Sequence, residues 1–342
     1  MNRLITYIIS IATVLSCIAC ERIPLHERST KVNLAIHVEL GLDHSVDLTY
    51  PVEPESFPTE KIDGISPDCH QVLLYDKTSH ELITSQIVGP EGEEIFVPVG
   101  EYDMVIFGFG SKSTQIKNIN DRLCTEAFTS DITRIMSEKF MAIQMNAQTE
   151  SKTSSKGYED DPIIHEPDHL YVANVFDVSI PAFTDKNNTV NIDAESKSII
   201  EVYSIEVLDV KGVENIKKIE AFITGQIKSY YFGVPKKNER PATLYTTLVP
   251  EKSNNMLYTF FGTFGKLSGS ENLVYLDITD TGGGLYRYIY DVTDQFDDEH
   301  NKNNRLIIDG SNINIPKPEA GGGGFTPSID DWDREDIDIP LG

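Results

Sequence analysis

Apolar and polar residues alternate with a period of two along most of this chain. In the segment 32–40 the odd-numbered residues are polar or small. The even-numbered residues are apolar: Val32, Leu34, Ile36, Val38 and Leu40. This period is typical of a half-buried strand, because successive side chains of a strand point to opposite faces. Similar short runs recur as far as residue 308, separated by turn sequences such as 89–92. The spacing predicts an all-β chain built from β-sandwiches.

The helical period is rare in this sequence. Only residues 132–145 carry apolar side chains at helical spacing, and they predict the one helix of the chain. The 342 residues include 29 Lys and Arg against 54 Asp and Glu, a formal charge of −25. A chain this acidic repels nucleic-acid phosphates and anionic lipid headgroups, so we expect no nucleic-acid partner.

The N-terminus has the pattern of an export signal. Arg3 precedes an apolar run at 4–15, which is too short for a comfortable membrane span. Cys20 follows Ile-Ala and precedes the polar pair Glu-Arg, an arrangement typical of a bacterial lipoprotein signal. We predict cleavage before Cys20 and acylation of its thiol, with Cys17 as the alternative. An ordinary secretory signal with incidental cysteines is the competing interpretation.

Two cysteines remain in the mature chain, Cys69 and Cys124. In an exported protein they could form a disulfide that closes a long loop. Two free buried thiols are the alternative, because a chain of this size does not need a covalent link for stability.

Polar and turn-rich segments divide the chain. The segment 184–188 separates two series of strands, and 316–324 combines two prolines with four glycines, as a flexible linker does. The predicted organisation is a signal peptide (1–19), a tether (20–30), an N-terminal β-sandwich domain (31–185), a C-terminal β-sandwich domain (186–315), and a Gly-rich linker with a C-terminal strand (316–342).

The segment 165–169 spells His-Glu-Pro-Asp-His, which matches the zinc-protease pattern H-E-x-x-H. That chemistry needs His165 and His169 on one face of a helix. Pro167 lies inside the required turn and opposes a helix by about 3 kcal/mol or more. The sequence therefore predicts a polar connection that leads into a strand at Leu170, with no metal.

Other patterns that could carry chemistry are weak. The acidic runs 297–301 and 330–333 lack the spacing of a calcium loop, so solvated loops are the better interpretation. The tyrosines of 286–290 could form a sugar-binding platform, but at period two they are more typical of sandwich packing. No residue is singled out as catalytic, and we expect neither an enzyme nor a cofactor.

Several short segments, in their order, resemble fimbrillin-like lipoproteins of the Bacteroidales, in a subgroup known as a domain of unknown function. Besides the signal with Cys20, they are 97–103, 167–171, 263–265, 290–294 and the tail from the last glycines to Trp332. The resemblance implies two tandem transthyretin-like Greek-key domains and export to the outer membrane. It also implies a role as a pilus subunit, anchor or tip adhesin, without catalytic residues. Partner subunits would join by strand donation after an Arg-specific protease removes an N-terminal strand.

One departure from that pattern concerns cleavage. The nearest arginines upstream of the first strand are Arg22 and Arg28, and the next along the chain is Arg122. A cut at either upstream site would remove the lipid and leave the strand in place. We therefore expect an uncleaved, lipid-retaining anchor or accessory component on the cell surface. The alternative is a surface glycan-binding lipoprotein or a glycoside hydrolase of a nutrient-uptake system.

The tail carries a last alternating run. Ile337, Ile339 and Leu341 alternate with two aspartates and a proline, and Trp332 precedes them. We predict a donor strand that adds to a sheet edge, with Trp332 as an apolar anchor. It could complete its own C-terminal domain or fill a groove in a partner; a disordered acidic tail is the remaining alternative.

Overall fold

The fold is almost entirely β, as the alternating pattern predicts. The structure is a computed structural model, and it describes residues 31–41, 67–109, 113–132, 161–182, 189–297 and 304–318. Within these ranges the first ten strands are β1 (Lys31–Gly41), β2 (His70–Asp76), β3 (Leu82–Val88), β4 (Gly92–Pro98), β5 (Gly100–Phe109), β6 (Thr114–Lys117), β7 (Glu126–Thr129), β8 (Ile163–His165), β9 (Leu170–Ile180) and β10 (Thr189–Ser198).

The second half of the described chain continues in the same way. Its elements are β11 (Glu201–Leu208), β12 (Ile216–Ile227), β13 (Ser229–Tyr231), β14 (Lys236–Lys237), β15 (Pro241–Glu251), β16 (Met256–Thr263), β17 (Leu273–Asp280), β18 (Leu285–Asp291), the short helix α1 (Thr293–Asp297) and β19 (Arg305–Asp309). Helix α1 was not predicted. The predicted helix at 132–145 lies outside the described residues after Ile132.

The first sheet is seven-stranded and curls on itself. Its order is β3-β2-β5-β9-β10-β1-β4. The two end strands, β3 and β4, are consecutive in sequence, and the side-chain amide of Gln86 on β3 donates to the carbonyl of Phe96 on β4 at 3.1 Å. The curled sheet encloses an apolar core that includes Leu34, Leu74 and Met104. This closure gives the sandwich-like shape that many short alternating strands favour.

The second sheet has the order β18-β17-β12-β15-β16-β11-β19, with β8 paired in parallel to β15. Its core is the larger one and contains residues such as Ile205, Leu276 and Phe261. Strands β16 and β17 are almost continuously buried, so both of their faces lie in the interior, including the side chain of Asp277.

A small third sheet, ordered β14-β13-β7-β6, lies against the first sheet and shares an apolar cluster with it. Phe107 on β5 meets Phe232, in the β13–β14 turn, edge to face at 5.3 Å between ring centroids. Both are almost fully buried. This contact joins segments about 125 residues apart in sequence and holds the two halves of the chain together.

Strand pairing does not follow the predicted boundary at 185/186. Strand β10 lies after that boundary, yet it pairs with β1 and β9 in the first sheet. Strand β8 lies before the boundary, yet it pairs with β15 in the second sheet. After β8 the chain returns to the first sheet through β9 and β10, and it enters the second sheet again at residues 199–200. The turn composition used for the prediction marks where strands stop, and it carries no information on which strands pair. The division into two domains stays a prediction.

Candidate functional site

The first strand, β1, is an internal strand of its sheet. It pairs in parallel with β10 and antiparallel with β4, so neither of its edges is open. Four alternating side chains on its inner face are at most 5 % exposed: Val32, Leu34, Ile36 and Val38. The strand predicted from the alternation at 32–40 is therefore present. It is hydrogen-bonded to a neighbouring strand along each edge, and one of its faces is buried in the core.

Gly92, at the start of β4, lets β4 approach β1 closely where the pairing of these two strands ends. Its φ is +95°, and a Cβ on this residue would lie only 1.9 Å from the carbonyl oxygen of Ile36. Glycine alone tolerates both the backbone conformation and the contact. The sequence signal for this turn is Gly-Pro-Glu-Gly at 89–92.

Strand β18 is an edge strand of the second sheet. Among the described residues it pairs only with β17. Its tyrosines at 286, 288 and 290 pack against the second core. Two of the hydroxyls are bound: Tyr286 donates to Asp280 at 3.1 Å, and Tyr290 donates to Asn312 at 2.7 Å. Burial raises the pKa of Tyr290 to about 12. These contacts favour the packing interpretation of the tyrosines over a sugar-binding platform.

The segment 165–169 is not helical. His165 ends β8, residues 166–169 form an irregular connection, and β9 begins at Leu170 as predicted. The two histidines contact different sheets. His165 meets Tyr245 on β15 edge to face at 6.4 Å, and His169 stacks on Tyr171 of β9 at 6.1 Å.

The two carboxylates of this segment serve as structural acceptors. Glu166 accepts the backbone N–H of Gly262 at 3.0 Å and the hydroxyl of Thr246 at 3.1 Å. Asp168 accepts the backbone N–H of Ser113 at 2.5 Å. The connection therefore ties β15 and β16 to the first half of the chain, and Glu166 is occupied as a hydrogen-bond acceptor where a protease would need a base.

Cys69 and Cys124 are free and exposed, so neither the disulfide nor the pair of buried thiols is found. Cys69 precedes the first residue of β2, whereas Cys124 adjoins Thr125, which bonds the hydroxyl of Tyr75 near the other end of that strand. The length of a seven-residue strand places the two cysteines roughly 20 Å apart. A disulfide requires Cα atoms within about 7 Å of each other. A hydrogen bond to Asp121 raises the pKa of the Cys124 thiol.

The remaining predicted site residues lie outside the described residues. They are Cys17, Cys20, Trp332, Ile337, Ile339 and Leu341, together with most of the two acidic runs. In the described part, no group of three or more His, Cys, Asp or Glu side chains is placed to hold a metal ion. Within the same ranges, no helix combines the length and the apolar composition needed to cross a bilayer.

A cleft of about 430 Å³ was not predicted from the sequence. It opens between β9, the β10–β11 connection and the β13–β14 hairpin, and its polar lining includes Asn174, Lys197 and Tyr230. These residues come from three distant segments. The alternation predicts the strands that carry them, but no local pattern indicates that they meet.

Much of this chain matches a described protein family. The family model described as "Domain of unknown function (DUF5119)" matches residues 56–247, more than half of the chain. The chain belongs to this family. The resemblance drawn from its short segments is thereby confirmed.

Two relatives extend the similarity over most of the chain. A curated protein of Bacteroides ovatus, named as a candidate fimbrium anchoring subunit (Fim4B), is 22% identical over 316 residues, which are 82% of this chain and 87% of that protein. The crystal structure of a candidate adhesin from Bacteroides ovatus has a TM-score of 0.56 at 17% identity and covers 88% of this chain and 98% of the other.

A further solved structure is the fimbrial anchor protein Mfa2 from Porphyromonas gingivalis. Its TM-score is 0.43 at 15% identity, with 80% of this chain and 90% of the other covered. The Bacteroides ovatus structure, at 17% identity, shows a shared fold.

Proposed function

We propose that this protein is a lipid-anchored, non-catalytic component of a surface fimbria that retains its first strand. The observation that carries the proposal is the position of β1. Because β1 is bonded on both sides and buries four apolar side chains, its loss would open the first sheet. A subunit in which this strand stays is suited to an anchoring or accessory role.

The distribution of arginines supports retention. Arg22 and Arg28 lie before β1, and the next arginine along the chain is Arg122. The side chain of Arg122 is 11 % exposed, bonds Asp103 at 3.0 Å and donates to the carbonyl of Gly233 at 2.9 Å. An Arg-specific protease acting on the folded protein would therefore not release β1 by a cut at Arg122, the first arginine after that strand. The name of the Bacteroides ovatus relative, an anchoring subunit, agrees with this role.

Partner subunits would join by strand addition, with the tail of this chain as donor. The described chain ends at Pro318, which packs against the exposed Gly282 in the β17–β18 turn. The tail therefore leaves from the surface, where its last 24 residues can reach a partner. In this proposal Ile337, Ile339 and Leu341 supply the apolar face of the added strand, and Trp332 supplies the anchor.

The experiment that tests strand donation is a chain truncated after Pro318. Donation in trans predicts a melting temperature close to that of the full chain and loss of partner assembly. A matched pair of full-length variants tests the same point without truncation. Ile339→Asp changes the apolar face of the strand and should impair assembly, whereas Asp338→Asn changes only the polar face and should not. A large fall in monomer stability on truncation would show pairing in cis, and unchanged stability with unchanged assembly would refute the donor strand.

The lipid anchor is tested separately by labelling cells with a fatty-acid analogue. The label should be lost in Cys20→Ala and kept in Cys17→Ala. The reverse result would assign the anchor to Cys17, and absence of label in the unaltered protein would refute the lipoprotein proposal.

A further inference from the structure

The cleft beside β9 and β10 has the dimensions of a small-ligand site. Its volume of about 430 Å³ lies in the usual range for such pockets. One wall is the face of the first sheet, where Lys197 stands directly across from Val172 in the strand register. The opposite wall is the β13–β14 hairpin, which contributes Tyr230 and Phe232. The two walls are joined by the packing of Phe232 against Phe107 of the first sheet.

The charge of the lining contrasts with that of the whole protein. Two lysines and one glutamate line the cleft, whereas the chain as a whole carries −25. Lys237 is bound to Glu201 at 2.6 Å. Lys197 has only a longer contact with Glu195, at 3.4 Å, and its side chain is 55 % exposed. Lys197 is therefore available to a negatively charged group that enters the cleft.

Asn174 adds an unsatisfied polar group to the same wall. Its side-chain oxygen is buried and accepts no hydrogen bond from the part of the chain that the structure describes. The terminal torsion of asparagine is broad, so the amide can turn toward the cleft without breaking a hydrogen bond of this oxygen. A ligand hydroxyl would supply the missing donor.

We propose that this cleft binds a carboxylated saccharide, a uronic-acid-containing glycan. The carboxylate pairs with Lys197, a ring hydroxyl donates to Asn174, and the apolar face of the sugar ring packs on Tyr230. This combination of one charged contact, one polar contact and an aromatic wall is what a small polar ring with one negative charge requires. The proposal is independent of the proposed fimbrial role.

The acidic tail of the protein is the competing occupant, and within one chain the reach of its Trp332 anchor is limited. Strand β12 runs from Ile216, beside Asp280, to Ile227, three residues before Tyr230. It separates the end of the described chain from the cleft by roughly 36 Å. Trp332 lies 14 residues beyond Pro318, which gives a fully extended reach of about 46 to 50 Å. A path around the surface would use nearly all of this length.

The test is calorimetric titration of the mature chain with digalacturonate, with the neutral galactose disaccharide of the same linkage, and with a peptide of residues 326–342. The variants are Lys197→Met and Tyr230→Ala. The matched control is Lys236→Met, an exposed lysine on the same hairpin that does not line the cleft. Melting temperatures establish that each variant folds. If Tyr230→Ala does not fold, the test relies on Lys197→Met, because the Lys197 side chain is half-exposed.

The expected result is saturable binding of digalacturonate that weakens at least tenfold in Lys197→Met and is unchanged in Lys236→Met. The neutral disaccharide should bind at least tenfold more weakly than the acidic one. Absence of digalacturonate binding, equal binding of the neutral sugar, or equal binding by Lys197→Met would overturn the proposal. Binding of the peptide alone, lost in Lys197→Met, would assign the cleft to the tail instead. Fimbrial assembly by Lys197→Met is expected to be normal, so failure here leaves the proposed function standing.

Discussion

Arg287 on β18 and Asp277 on β17 form a fully buried ion pair across neighbouring strands. The guanidinium donates through two nitrogens to both carboxylate oxygens, each at 2.6 Å, and each side chain is 1 % exposed. The two residues are directly opposite in the strand register, and the guanidinium also lies over the ring of Tyr275 at 5.7 Å. This pair attaches the edge strand β18 to the rest of the second sheet.

Removing one member of this pair should be strongly destabilising. Asp277→Ala leaves the Arg287 charge buried without its partner, and we expect a loss of about 3–5 kcal/mol in the free energy of unfolding. Replacing both residues with apolar side chains of similar size, Asp277→Leu with Arg287→Met, should recover most of that loss. Urea denaturation measures both. Equal destabilisation by the single and the double change would contradict the interpretation as a mutually compensating pair.

The contact between Gly92 and β1 gives a second prediction, with a control in the same turn. Gly92→Ala places a methyl group 1.9 Å from the carbonyl oxygen of Ile36 in a left-handed backbone conformation, so we expect a loss of more than about 2 kcal/mol. At Gly89 the nearest atom to an added Cβ is 3.7 Å away. Gly89→Ala should therefore stay within about 0.5 kcal/mol of the unaltered protein. Similar melting temperatures for the two variants would show that β1 is not held here.

The sequence predicts strands well where one face is buried. The alternating segment 32–40 lies in β1, and the strand predicted to begin at Leu170 is β9. The alternation does not predict which strands pair, because pairing can join distant residues. The parallel pairing of β1 with β10 joins residues more than 150 positions apart. The short helix α1 escaped prediction because five residues are too few to show a helical period; Asp291 accepts the N–H of Thr293 at its start.

Features of the candidate sites that depend on local sequence could be predicted, and those that depend on long-range strand pairing could not. Pro167 was enough to predict that the His-Glu-Pro-Asp-His segment is not a helix, because the effect of proline on the backbone is local. The separation of Cys69 from Cys124 could not be predicted, since it depends on where β2 places its two ends. The cleft is the extreme case: Asn174, Lys197 and Tyr230 belong to three strands whose order in space follows from long-range pairing.

Glu166 provides a test of the structural role of that segment. Its carboxylate accepts bonds from Gly262 and Thr246, and hydrogen bonds to a charged group contribute about 1.5–3 kcal/mol. We expect Glu166→Ala to lower the free energy of unfolding by an amount in this range. His165→Ala, at an exposed position, is the control and should have little effect. The melting temperature of the unaltered protein should not change on addition of a chelator; a fall that added zinc reverses would indicate a metal at this segment.

His70 provides the pH-dependent prediction. The ring is fully buried at the start of β2, and its Nε2–H donates to the carbonyl of Pro90 at 3.0 Å. Burial lowers the pKa of His70, and the bond to Pro90 opposes the shift only in part. The Nδ1 atom is buried and has no hydrogen-bond partner among the described residues, so the proton of the charged form would meet no acceptor.

The sign of the effect follows from these two states. Above an ordinary histidine pKa of about 6.5 the ring is neutral in both the folded and the unfolded chain, and its contribution to stability is complete. As the pH falls below that value the unfolded chain binds a proton that the folded chain does not, so stability falls by up to about 1.4 kcal/mol per pH unit until the folded ring is also protonated. In His70→Gln the amide can still donate to Pro90, and this part of the slope between pH 7 and pH 5 should disappear. Urea denaturation across that range measures it, with His37→Gln on β1 as the control for removing an exposed imidazole. A slope in His70→Gln equal to that of the unaltered protein would show that His70 does not contribute to the pH dependence.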